Sequence, residues 1–137
     1  MSRREAELPS VLLVEDEALI AAMAADWLAE HGFKVYVATN AHDALLRLRA
    51  GIQIDALFTD IDLGGEVDGT MLALIARQLR PDLAVVYTSG RWGTAEQFPT
   101  VPGSHFLPKP YDPDEVCAVL RRLLAAREHP ASRLSLA

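Results

Sequence analysis

Six positions in this 137-residue chain carry side chains whose types and order suit chemistry on a charged oxygen group. They are the adjacent acids Glu15 and Asp16, a third acid at Asp60, the hydroxyls of Thr88 and Ser89, and the amine of Lys109. Each follows closely on a short apolar run, so all would meet if those runs lay side by side and pointed the same way. Carboxylates brought together repel one another, and a cluster that offers only oxygen donors invites a hard cation such as Mg2+. A phosphoryl group could then lie between that cation and the Lys109 ammonium, with the Thr88 hydroxyl on a further oxygen. Asp60, at the end of the central run, is the natural acceptor.

Taken singly, every one of these residues has a plainer explanation. Glu15 and Asp16 could be first-turn acids favoured at a helix N-terminus. Asp60 could form a turn, Thr88 or Ser89 could cap one, and Lys109 could be a solvated surface lysine. It is the joint order, with each residue at the end of a buried run, that argues for a site.

The apolar runs begin near Val11 (VLLV), Phe33 (FKVYVA), Asp55 (DALFT), Asp82 (DLAVVYT) and His105 (HFL). Successive starts lie a little over twenty residues apart, the spacing of βα units, and the continuous Val, Leu and Phe stretches suit strands covered on both faces. The FKVYVA run alternates and reads as an edge strand. Helices are expected over Ala18 to Glu30, with Leu19, Met23 and Trp27, and Ile20 and Leu28 beside them, as its apolar stripe and Gly32 as its stop, and from an Asn40 cap to Gly51. A third is expected from Asp68 to Arg80 with Leu72, Ile75 and Leu79 inward. The last opens on Asp112, Pro113 and Glu115, with Val116, Val119, Leu120, Leu123 and Leu124 facing the core. The connection Arg91 to Ser104 is different: Gly93, Pro99, Pro102 and Gly103 leave space for little more than one turn, so a poorly formed helix is expected there. Alternating strands and helices imply a parallel sheet with right-handed crossovers and helices on both faces.

Composition sets the remaining bounds. The length suits one domain, over residues 10–127, with tails at 1–9 and 128–137. Thirteen Lys and Arg against nineteen Asp and Glu give a net charge of −6 and no basic block, which disfavours direct nucleic-acid binding. The single cysteine, Cys117, cannot form an internal disulfide, and no apolar run approaches the length of a membrane span or a leader, so a cytoplasmic protein is expected. Trp27, Met23 and Cys117 are read as core. Trp92, a large aromatic in the Gly-rich connection, is a possible partner contact, although packing onto that connection is the plainer account.

The segments VLLVEDE, ALFTDIDL, VVYTSG and FLPKPY resemble the receiver domain of two-component response regulators, over about residues 10–127. The resemblance implies a flavodoxin-like five-stranded parallel sheet in the order 2-1-3-4-5. It implies Asp60 as phosphoacceptor, and Mg2+ held directly by Asp16 and Asp60, by Glu15 largely through water and by the Asp62 backbone carbonyl. Thr88 would be the switch hydroxyl, Lys109 the phosphoryl-binding ammonium, and Phe106 the aromatic whose rotamer reports the switch. The Lys109–Pro110 bond would be cis. The partners implied are a sensor histidine kinase or histidine phosphotransfer protein upstream and an unnamed protein downstream, and with no output domain in view the chain reads as a stand-alone receiver. Three departures stand out: a Glu-Asp pair where Asp-Asp is commoner, an acid two residues after the acceptor, and the weak fourth helical segment. A competing reading is a small phosphatase of the haloacid-dehalogenase type using Asp60 and Asp62, against which stands the order of the acids, because that family places its nucleophile on the first catalytic strand. A further alternative is a docking module that keeps the fold without being phosphorylated.

Overall fold

The computed structural model describes residues 8–90 and 99–128. Five strands lie in one parallel sheet: β1 (Ser10–Val14), β2 (Lys34–Ala38), β3 (Ala56–Asp60), β4 (Ala84–Ser89) and β5 (His105–Pro108), in the order β2-β1-β3-β4-β5. The strand order implied by the resemblance is the order found. β1, β3 and β4 are buried along their whole length, whereas the alternating run forms β2 at an edge, half-exposed over most of its residues. That division follows from position, since only central strands are covered by neighbours on both sides and by helices on both faces.

Four helices lie among the described residues: α1 (Ala18–Glu30), α2 (Ala41–Arg49), α3 (Gly69–Leu79) and α4 (Pro113–Glu128). Three of the starts carry the expected polar cap. Asn40 accepts from the Asp43 N–H at 2.7 Å, Asp68 from the Met71 N–H at 2.9 Å, and Asp112 from the Asp114 N–H at 2.9 Å. Gly32 ends α1 at φ +91°, a conformation that costs glycine little.

Two apolar clusters fill the space on either side of the sheet. One joins Leu12, Leu57, Val85 and Tyr87 to α2 and α3 through Ala44, Leu48, Leu72 and Ala76. The other joins Val11, Leu13, Phe58 and Val86 to α1 and α4 through Ala24, Leu28, Val116 and Leu120.

The inward faces of α1 and α3 differ in part from those expected. Leu28 is buried as expected, but Leu19 and Met23 are 74% and 60% exposed, so Met23 is not core, and α1 buries Ala21 and Ala24 in their place. In α3 Leu72 is buried as expected, together with Ala73 and Ala76, while Leu79 is exposed. Both helices are apolar almost all round, so periodicity did not define a face. The small residues turn inward because they let the helix axis approach the sheet closely. Trp27 is partly buried and Cys117 fully so, as expected of core positions.

The expected weak helix and Trp92 fall largely on residues 91–98, outside the described residues, as do residues 1–7 and 129–137 of the two tails. Residues 99–104 are described and form no helix. They are anchored by the Val101 N–H, which donates to the Tyr87 hydroxyl at 3.1 Å, and by the Ser104 hydroxyl, which donates to the Val101 carbonyl at 2.6 Å.

Candidate functional site

Parallel strands deliver their C-terminal ends to one edge of the sheet, and the residues there are the six singled out by type and spacing. Glu15 follows β1 and is held by its own backbone N–H, which donates to the Ala38 carbonyl of β2 at 3.1 Å. Asp60 ends β3 directly opposite Thr88 of β4. Lys109 follows β5, and its N–H donates to the Ser89 carbonyl at 2.9 Å. The Lys109–Pro110 bond is cis, as the resemblance implied.

The Lys109 ammonium donates to Asp60 Oδ2 at 2.8 Å and to Glu15 Oε1 at 3.4 Å. Glu15 and Asp60 are both buried, Asp16 is exposed, and one carboxylate oxygen from each lies within 4.8 Å of the others. Burial pushes the Glu15 carboxyl above its ordinary range, and the Asp60 charge adds to this; the Glu17 N–H and Lys109 act in the opposite sense without reversing it. Burial disfavours the Lys109 ammonium too, but its bonds to Asp60 and Glu15 outweigh that and raise its pKa. One lysine thus stands against two buried acids with a third at the rim, a negative excess made only of oxygen donors. That is the donor chemistry a hard divalent cation requires, so these residues fit Mg2+.

Asp62 lies just outside this cluster. Its N–H donates to Asp60 Oδ1 at 3.0 Å, fixing the Asp60 side chain, and its own carboxylate accepts from the Ser89 hydroxyl at 3.1 Å. Thr88 is buried, and among the described residues its hydroxyl has no hydrogen-bond partner. A buried hydroxyl without a partner is costly, and this one belongs to the residue directly opposite Asp60. Phe106 faces Tyr87 across the β4–β5 ladder and packs on the α2 and α3 side, while Thr88 faces Leu107. By strand alternation, Thr88 and Phe106 therefore point to opposite faces of the sheet, and they are diagonal neighbours rather than direct ones.

Two features of the site were not anticipated from sequence. The first is the Asp62–Ser89 bond, which turns the unusual acid into part of the rim. The second is Tyr111, whose ring lies with Glu15, Asp60, Thr88 and Phe58 around the narrow space under the mouth. The FLPKPY motif contained the residue, but nothing in the spacing showed where its ring would turn.

At α3 the backbones meet closely. The Gly69 N–H donates to the Ile61 carbonyl at 2.8 Å, and a Cβ at position 69 would lie 2.1 Å from the Asp60 carbonyl oxygen. Only glycine fits between the end of β3 and the start of this helix.

Fold, edge and acid cluster together define a doubly wound α/β domain with a cluster of oxygen donors at the C-terminal edge of its sheet. The family model for the response regulator receiver domain matches residues 11–121, and the chain belongs to that family. Among curated proteins it is similar to response regulator Rre1 of Synechocystis sp., 34% identical over 131 residues that cover 90% of this chain and 54% of the relative. It is also similar to the sensor kinase CckA of Brucella abortus, 27% identical over 122 residues, 87% of this chain and 13% of the relative. Among solved structures, a response regulator receiver protein from Sinorhizobium medicae superposes with a TM-score of 0.84 at 32% identity, covering 90% of this chain and 99% of the other. The chain spans 13 to 54% of the length of the curated relatives it matches. Of the readings raised by the sequence, the receiver, not the phosphatase, is the one that family membership supports.

Proposed function

We propose that residues 10–127 form a phosphoacceptor switch, with Asp60 taking a phosphoryl group from a phosphohistidine on a sensor histidine kinase or histidine phosphotransfer protein. The observation that carries this reading is the Lys109 ammonium, 2.8 Å from the carboxylate of Asp60 at an acid-lined strand edge. An Asp60 carboxylate oxygen attacks phosphorus, the bond from phosphorus to the donor nitrogen breaks, and the electron pair leaves with the imidazole. The product is an acyl phosphate. Lys109 neutralises the phosphoryl oxygens as they approach, and the buried Thr88 hydroxyl, which has no partner among the described residues, donates to one of them. Glu15, Asp16, Asp60 and the Asp62 carbonyl are the groups that would hold Mg2+, which when bound supplies positive charge to the phosphoryl oxygens. The domain catalyses at most its own phosphorylation and dephosphorylation.

Donor approach is favoured by apolar surface beside the mouth. Leu19 and Met23 stand exposed one turn apart on α1, next to an open depression of about 400 Å3 lined by Ile20, Lys109, Pro110 and Tyr111. Output is a surface change: movement of Thr88 toward the phosphoryl group loosens the end of β4, to which Phe106 and the 99–104 segment are attached, and a downstream protein reads the result. The net charge of −6 argues against nucleic acid as that reader, and a lone buried thiol agrees with a cytoplasmic setting. No helix among the described residues is long and apolar enough to cross a membrane.

The test is incubation with acetyl phosphate and Mg2+ followed by intact-mass measurement. One added phosphoryl group is expected, and none in Asp60→Asn. An added group that persists in Asp60→Asn would move the acceptor elsewhere, and Ser89 and Asp62 would be the next candidates.

A further inference from the structure

The ring of Tyr111 has no part in the chemistry above, yet it occupies a defined place beside it. It meets Phe58 edge-on, with centroids 5.7 Å apart and planes at 69°, and meets Trp27 at 5.9 Å and 70°. Trp27 and Phe58 close the triangle at 6.2 Å. Phe58 is two residues before Asp60 and shares its face of β3, while Tyr111 is two residues after Lys109. The same two stretches of chain are therefore tied twice, once by the ion pair at the mouth and once by a ring pair, with α1 contributing Trp27 as the third wall. The polar end of Tyr111 lies within reach of the site's charges: burial pushes its hydroxyl pKa up, Lys109 pulls it down, and Glu15 and Asp60 push it up again.

A lysine side chain has a long flexible stem, and holding it in one direction costs rotamer freedom. Lys109 has a proline on either side, so its own N–H bond to Ser89 fixes the chain before the ammonium, and an anchor is needed after it. Edge-to-face rings supply directional contacts of that kind. We propose that Tyr111 is a positioning residue for Lys109, its ring wedged between Trp27 and Phe58 so that the ammonium reaches Asp60 from a fixed direction. This rests on the reading of Asp60 as phosphoacceptor only for its kinetic consequence, because the arrangement of the ammonium can be observed without phosphorylation.

The experiment has two arms on the intact chain. In the first, the side-chain 15N signal of Lys109 is recorded in wild type, Tyr111→Leu and Tyr111→Phe. Displacement of the signal in the leucine variant, with return to the wild-type position in the phenylalanine variant, is expected; an unmoved signal in Tyr111→Leu overturns the proposal. In the second, phosphorylation by acetyl phosphate is timed at saturating Mg2+. Tyr111→Leu should slow it on the order of tenfold, within the range that a ~1 Å misplacement costs, and Tyr111→Phe should restore it. In a Lys109→Met background the same substitution should change nothing further. The core variant Leu124→Ala is the control for lost stability and should leave the rate unchanged. If Tyr111→Leu does not fold, Phe58→Leu replaces it with the same expectations. A wild type that takes no phosphoryl group would overturn the acceptor reading alone, and the signal arm would still decide this one.

Discussion

Thr88 offers the sharpest separation between resting stability and function. Its buried hydroxyl lacks a partner among the described residues, so Thr88→Val removes an unmet polar group while keeping the shape. The variant should be more stable by about 1 kcal/mol, the lower end of the cost of such a group, and thermal melts check it. The same variant should respond less to phosphorylation, visible as a smaller change in amide exchange along β4. The acids give a second test. Relief of their repulsion by Mg2+ at tenfold above its Kd is worth about 1.4 kcal/mol, or about 5 °C in midpoint, and Asp16→Ala should abolish the shift. These residues were legible in the sequence because each follows a buried run, and run order alone brings them to one edge. The Asp62–Ser89 bond and the Tyr111 ring were not, because both depend on side-chain directions that strand spacing leaves open.

Helices tell a similar story. Their boundaries were readable from caps and glycines, whereas the inward faces of α1 and α3 were readable only in part: Leu28 and Leu72 are buried as expected, but apolar residues surround both helices, and Ala21, Ala24, Ala73 and Ala76 face inward where Leu19, Met23 and Leu79 were expected. One contact between helices makes a pH prediction. The His31 ring reaches the Trp27 carbonyl with Nδ1 at 2.7 Å and the Asp114 carboxylate of α4 with Nε2 at 2.9 Å. Arg121 of the same helix donates to the His31 carbonyl. Two acceptors on one imidazole favour the doubly protonated ring, and the Trp27 carbonyl first, then Asp114, raise its pKa above the ordinary 6.5. Because the folded value exceeds the unfolded one, this stability is fully present below the unfolded pKa and is lost as pH rises through the folded pKa. The melting midpoint of wild type relative to His31→Gln should therefore fall between about pH 6 and pH 8, and a difference that grows with pH would refute the assignment.

On the scale of the whole molecule, the two ends of the sheet have separate duties. The C-terminal edge gathers the acids, whereas at the opposite edge arginines tie the layers together. Arg127 of α4 donates to the Asp55 carboxylate and carbonyl, each at 2.9 Å, and Arg80 donates to the carbonyls of Leu48 and Ile52 at 2.8 Å. Burial alone would raise the Asp55 carboxyl, but the Ser10 N–H and Arg127 hold it below its usual range. Arg127→Ala should cost about 2 kcal/mol, as loss of charged hydrogen bonds does, and leave the rate of phosphorylation by acetyl phosphate unchanged; a matching loss of rate would show that the two ends are not independent. A parallel sheet with helices on both faces was legible in the continuous apolar runs at βα spacing, and the alternating run announced its place at an edge, whereas the strand order came only from the resemblance to receiver domains. The arginine ties were not, since they join residues as much as 72 positions apart through backbone oxygens that no motif marks.

The contact at Gly69 has a mechanical meaning. Where a side chain intervenes between two elements, it can change rotamer and absorb a small displacement. Here main chain rests on main chain, with no room for even a methyl group, and packed protein is hardly compressible. A shift of the Asp60 carbonyl has no slack to be lost in, so the whole of α3 must travel with it as a rigid rod. Met71 and Leu74 ride on the outer side of that rod beside the Pro99 to Pro102 segment, so a displacement of the Asp60 main chain is expected to reach this surface undamped.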